Sequence, residues 1–229
     1  MDASLKLISF GYYLYEDDPR YSEWYHRYFQ KQITPADLHV KTRQKFDEFS
    51  LKPLSLWSSL DAIECLNACY VVEQEKDSEM SKIALDFLKL LEKRIHTEPR
   101  STAYQARDKD KKTFYTCSPH GIAILAMLRG FELFKEESFK DKAKEQLEFL
   151  LKNYPIEEQT FVLGRYDYSA LASTTAALQR MVQYFPAYKK ALEKAKERIL
   201  EEWVKRSTLL PLSTQLEVLE LTTPRFYCY

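Results

Sequence analysis

The chain has 229 residues, with 34 Lys plus Arg balanced by 34 Asp plus Glu, so its formal net charge at neutral pH is zero. That balance supplies no basic field to recruit nucleic acid or an anionic membrane surface, and neither is an expected partner. Only four glycines occur, against abundant Leu, Lys, Glu and Ala, a composition that disfavours a turn-rich β architecture and predicts an all-α fold.

The first apolar stretch, Leu5 to Tyr15, fits either helix or strand. After Asp18-Pro19, the residues Tyr21, Trp24, Tyr25, Tyr28 and Phe29 recur at helical spacing and place five rings on one face, most simply a core stripe. Thr34 to Asp37 resembles a capping box with Pro at the first helical position, and Leu38, Thr42, Phe46 and Phe49 continue one face of the next helix.

From Pro53 two kinds of helix alternate. Leu54 to Gln74 is apolar over most of its surface, broken by Asp61, Glu64 and Asn67, which face either a wet cavity or, the stronger reading, a narrow solvent edge. Ser78 to His96 is one-sided, its stripe formed by Met80, Ile83, Ala84, Phe87, Leu88, Leu91 and Ile95. The stretch 118–135 is again almost wholly apolar, interrupted only by Arg129, Glu132 and Lys135, with Ser118 as N-cap and Pro119 in the first turn. Ser138 to Asn153 is one-sided through Phe139, Ala143, Leu147, Leu150 and Leu151. Tyr168 to Phe185 is rich in Ala, Ser, Thr and Leu, with no charge before Arg180. Pro186 to Arg206 is one-sided through Tyr188, Leu192, Ala195, Ile199 and Trp203. Leu210 to Leu221 is a candidate fourth inner element.

Apolar helices of this kind must be covered on most sides, and one-sided helices must cover them, so the pattern predicts three inner and three outer helices paired as hairpins. Inner leads to outer through short turns near Lys76-Asp77, Glu136-Glu137 and Phe185-Pro186, whereas outer returns to inner through the long segments Thr97 to Thr116 and Tyr154 to Asp167. All long loops then gather at one end, where the inner helices begin. The alternation around ARDKDKK in the 97–116 loop is consistent with a small β-hairpin. A single domain over 1–229 is expected, with the helices of 1–50 packing on a 51–222 array.

This layout resembles the α/α-toroid superfamily, the group of six-hairpin glycosidases and lyases, sugar epimerases and terpenoid-cyclase-like proteins. The resemblance spans residues 50 to 222 and is carried by architecture. The chain supplies too few helices to close such a ring, so an incomplete toroid-like array is expected, whose open edge a protein partner or a second copy of the chain would cover. The resemblance implies a site at the long-loop face, where rings stack on sugars and carboxylates or histidines carry acid and base roles. Trp57, Asp61, Tyr104, Tyr115, Arg165, Tyr166 and Tyr168 are the candidate ligand-binding residues there, with His120 and Asp167 as candidate catalysts.

Each has a structural alternative. Asp167 directly precedes a helical run and reads first as an N-cap. His120, in the first turn of a helix whose dipole disfavours imidazolium, reads first as a satisfied partner of a loop carbonyl and second as a neutral base.

Among the cysteines, Cys65, Cys69, Cys117 and Cys228, no metal-ligand spacing occurs, so buried thiols are expected and neither a metal nor a cofactor is implied. The N-terminus lacks the features of a secretory signal and no apolar run approaches the ~18 residues of a membrane span, which makes a reducing cytoplasmic setting the default. G-x-S-x-G, Walker-type, H-E-x-x-H and Rossmann patterns are absent from the sequence. Two functions remain: binding, with or without turnover, of a small polar or carbohydrate-like ligand at the long-loop face, or a non-catalytic helical scaffold for protein–protein interaction.

Overall fold

The computed structural model describes residues 35–54, 57–75, 78–95, 118–159 and 170–206. These form α1 (Pro35–Ser50), α2 (Ser59–Glu75), α3 (Ser78–Arg94), α4 (Ser118–Phe134), α5 (Glu137–Asn153), α6 (Ala170–Tyr184) and α7 (Lys189–Arg206). Two 3-10 turns, Ile156–Glu158 and Pro186–Tyr188, complete the described elements, and there is no strand among the described residues. The expected elements at Leu5–Tyr15, Tyr21–Phe29 and Leu210–Leu221, and the hairpin expected in 97–116, lie outside the described residues.

The all-α expectation holds for what is described. In α3 every residue of the predicted stripe is buried, and in α4 the side chains from Pro119 to Leu128 are all buried. α4 packs against α2 on one side and α6 on the other, while α5 covers a third face and α3 reaches it as well. α7 pairs with α6, and α1 lies across α2 and α3. The inner helices are therefore α2, α4 and α6, and each is followed in the chain by the amphipathic helix that covers it.

Two boundaries differ from the sequence reading. α2 begins at Ser59, not Leu54: its first main-chain bond runs from the N–H of Ala62 to the carbonyl of Ser58 at 3.2 Å, and Leu54, ahead of it, is exposed. The helix expected from Pro186 opens as a 3-10 turn, closed by Tyr188 N–H on the carbonyl of Phe185 at 3.1 Å, before α7 proper. The α4–α5 connection is equally short. Lys135 adopts φ 58°, the left-handed conformation that ends a helix, and its N–H bonds the carbonyl of Phe131 at 2.9 Å.

The inner helices run parallel, because their corresponding ends meet. Near the C-terminal ends, Glu132 of α4 accepts from Arg129 at 2.8 Å and from Arg180 of α6 at 2.8 and 2.9 Å. It also accepts from the Tyr184 hydroxyl at 2.7 Å. Arg129 also pairs with Glu73 of α2. One charge cluster thus joins all three inner helices. At the opposite end α4 and α6 come so close that a Cβ built on Gly121 would lie 2.6 Å from the Ser173 carbonyl carbon and 2.7 Å from its oxygen.

A separate clamp holds α1. The buried guanidinium of Arg94 donates to the carbonyls of Phe49 at 2.7 Å and Lys52 at 2.6 Å and lies 3.9 Å from the centre of the Phe49 ring. Burial pushes its pKa down from the usual arginine value. Cys65 and Cys69 are buried free thiols whose pKa values are raised, chiefly by desolvation, so neither is a nucleophile at neutral pH.

These contacts give three expected outcomes. Gly121→Ala forces backbone apart and destabilises by roughly 1–3 kcal/mol. Gly130→Ala meets side-chain and not backbone atoms, Leu88 Cδ1 at 2.9 Å and the Phe139 ring at 3.0 Å, and gains helix propensity, so its denaturation midpoint stays closer to wild type. Glu132→Ala strips the carboxylate from Arg180, itself only 7% exposed, and costs about 3 kcal/mol in urea unfolding. A loss below 1 kcal/mol would show that the cluster does not tie the inner helices together.

Candidate functional site

The end of the array where the inner helices begin is built around the first turn of α4. His120 is 1% exposed. Its ring meets Trp57, which precedes α2, at a centroid separation of 5.4 Å and an interplanar angle of 73°. Phe149 of α5 lies 5.2 Å away and Tyr154, which ends α5, 6.1 Å away. The imidazole is thus walled by three aromatic rings, one from the approach to α2 and two from α5 and its C-terminal end. It is there because Pro119 and Gly121 flank it: proline starts the helix without an unmet N–H, and glycine admits α6.

Polar contact comes from α5. Gln146 Oε1 accepts from His120 Nδ1 at 3.1 Å. An amide oxygen only accepts, so this bond places the proton of the neutral ring on Nδ1 and leaves Nε2 as a bare lone pair. Nε2 is buried and has no hydrogen-bond partner among the described residues. Burial pushes the His120 pKa down to about 4, against the smaller, opposing effect of the Gln146 hydrogen bond. Parallel inner helices add to the effect, since each N-terminus carries about half a positive charge.

Two more buried polar atoms at this end lack partners among the described residues. Gln159, where the chain leaves the 3-10 turn, donates through Nε2 to the carbonyl of Tyr154 at 2.7 Å, while its Oε1 stays unmatched. In the second turn of α6 the hydroxyl of Thr174 is likewise unmatched. Its neighbour Thr175 instead bonds back to the carbonyl of Leu171 at 2.7 Å.

Of the residues singled out in sequence, the structure brings Trp57 and His120 into contact. Asp61 is accounted for differently: it is buried in the first turn of α2, where it accepts from Lys52 Nζ at 2.5 Å and from the Ser58 hydroxyl at 2.8 Å. The solvent edge of α2 begins only at the half-buried Glu64 and Asn67, which bond each other at 3.1 Å. Tyr104, Tyr115, Arg165, Tyr166, Asp167 and Tyr168 lie outside the described residues. Gln146, Phe149, Tyr154 and Gln159 were not singled out. Gln146 did leave a sequence signal, an amide placed three and four residues from Ala143 and Leu150 on an otherwise apolar stripe.

Among the described residues no group of three or more His, Cys, Asp or Glu is placed to hold a metal ion, and no helix is long and apolar enough to cross a membrane. Comparison of the chain with protein-family models, with curated proteins and with solved structures finds no match.

The buried imidazole makes stability pH-dependent. Its pKa is lower in the folded chain than in the unfolded one, so between pH 6.5 and 4 the unfolded state binds more protons and is favoured. Stability is complete above the unfolded pKa and falls by about 3 kcal/mol as pH drops through this window. Denaturant titrations at pH 7 and pH 4.5 should show the fall, and a His120→Phe variant should lack most of it. An unchanged pH slope in that variant would place the titration elsewhere.

Proposed function

We propose that the chain binds a small polar, carbohydrate-like ligand at the end of the helical array where the inner helices begin, with His120 as a hydrogen-bond acceptor. The observation that carries this reading is the His120 Nε2 lone pair, buried in a cage of Trp57, Phe149 and Tyr154 with no partner among the described residues. Leaving a buried acceptor unmatched costs about 1–3 kcal/mol, a cost that a purely structural histidine has no reason to carry. Aromatic faces beside a polar acceptor also suit the alternating C–H and O–H surfaces of a sugar.

The resemblance of the hairpin array to the α/α-toroid superfamily, in an open form, supports the same location. A role as general base fits His120 less well than a role in binding. A conjugate acid with a pKa near 4 has little pull on a proton at neutral pH, where a catalytic base works best with a pKa close to the ambient value.

The test pairs binding with stability. Replacing both His120 and Gln146, as His120→Phe with Gln146→Leu, removes two mutually bonded polar groups together and leaves stability at or above that of wild type at pH 7. Wild type is expected to gain thermal stability with at least one member of a panel of neutral mono- and disaccharides, by about 2.7 kcal/mol at a hundredfold excess over Kd, and the double variant to lose that gain. A panel with no effect on wild type, together with a stable oligomer or a co-purifying protein in light scattering, would favour the scaffold function instead.

A further inference from the structure

We propose that the outward face of α1 pairs two copies of this chain about a two-fold axis, the two helices antiparallel, with Val40 of each copy against Leu51 of the other and Arg43 against Glu48. The pairing uses a different part of the molecule from the ligand site proposed above and stands independently of it.

α1 is fixed from behind. Thr42 and Phe49 are buried, and the rings of Phe46 and Phe49 lie 5.8 and 5.1 Å from that of Phe87 on α3. Arg94 holds the main chain where the helix ends. What α1 turns outward is Val40, Arg43, Gln44, Asp47, Glu48 and Leu51, all exposed and spaced i, i+3, i+4, i+7, i+8 and i+11, which is one continuous stripe. Leu51 belongs to it because its N–H still bonds the Asp47 carbonyl, at 3.2 Å, one residue past the helix. Val40 is 69% exposed and Leu51 86%, and with Leu54 at 60% they are three of the four large apolar side chains that stand in solvent among the described residues. Single exposed apolar residues are ordinary, but here they mark both ends of one stripe and enclose its charges.

The stripe is its own complement. Turned end for end about a point between positions 45 and 46, position 40 falls on 51, 43 on 48 and 44 on 47. Apolar then meets apolar at both ends, the Arg43 guanidinium meets the Glu48 carboxylate, and the Gln44 amide donates to the Asp47 carboxylate. The second copy makes the same contacts in reverse, as an isologous interface requires. A parallel pair would set Arg43 on Arg43 and each acidic residue on itself, so the order of charges selects the antiparallel one. The pairs formed within one copy, Arg43 with Glu79 and Glu48 with Lys45 and Gln44, are exposed, and exposed pairs of this kind hold weakly enough to exchange partners. Val40 to Leu51 spans about 16 Å of helix axis, so the contact is that of a single helix pair. A weak dimer that grows with concentration is expected, below the size of a stable interface.

Sedimentation of the full chain at concentrations from about micromolar to about millimolar reads this range of affinity. Wild type should shift from monomer toward dimer. Arg43→Glu and Glu48→Arg should each weaken association by about tenfold or more, because like charges then face each other at both crossings. Mixed in equal amounts, the two variants should associate with one another as wild type does, since the mixed pair sets acid against base at both crossings. Leu51→Ser should also weaken association by about tenfold and leave the urea midpoint in place.

A chain that stays monomeric into the millimolar range, or a mixture that associates no better than its components, overturns the proposal. Association that survives both charge variants places the contact elsewhere and overturns it too. So does a fall in the urea midpoint of Leu51→Ser, which would assign the cover of this face to the same chain.

Discussion

Everything described in this fold depends on the burial of α4. A helix with side chains enclosed from Pro119 to Leu128 must have neighbours on nearly every side, and it finds them in α2, α6 and α5. The two glycines of α4 decide how near those neighbours come. Gly121 lets the backbone of α6 approach, and Gly130 makes room for Leu88 and Phe139. The other helices can then be placed by what they cover.

The two ends of the inner row differ in how their buried polar groups are arranged. Where the helices finish, Glu132 is bonded to Arg129, Arg180 and Tyr184, and Arg129 in turn to Glu73, so charges are paired across three helices. Where the helices begin, the Asp61–Lys52 pair stands beside α2, while His120 Nε2, Gln159 Oε1 and the Thr174 hydroxyl have no hydrogen-bond partner among the described residues. A protein that gains nothing from an unmatched acceptor has simple routes to lose it, since a phenylalanine in place of His120 would fit the same cage. The buried His120 acceptor in its aromatic cage is the main physical reason for placing function at this end.

Much of this organisation was legible in the residues. The switch between all-round apolar and one-sided helices marked α2 through α7, because burial on all sides and burial on one side leave different periodicities. His120 and Trp57 were both legible as members of the loop-rich end. The Gln146 contact was not, because a hydrogen bond between α4 and α5 depends on the rotation of each helix, and periodicity fixes rotation only to within a residue or so. Asp61 illustrates the limit from the other direction. Its spacing with Glu64 and Asn67 suggested one continuous edge, but the lysine that buries it sits nine positions away, in a turn whose path no periodicity describes.

The clamp on α1 has a consequence for how the sequence can drift. Arg94 reaches back 45 positions to the carbonyl of Phe49 and 42 to that of Lys52, and those acceptors belong to the main chain. Every amino acid brings the same carbonyl, so substitution at position 52 leaves that half of the clamp intact, and position 49 need only keep a ring for the guanidinium to lie on. Position 94 has no such freedom, because only a planar fork with several N–H groups can serve two carbonyls at once. Over evolutionary time the junction would thus appear as one fixed arginine facing a variable partner, a pattern in which neither residue covaries with the other although they touch.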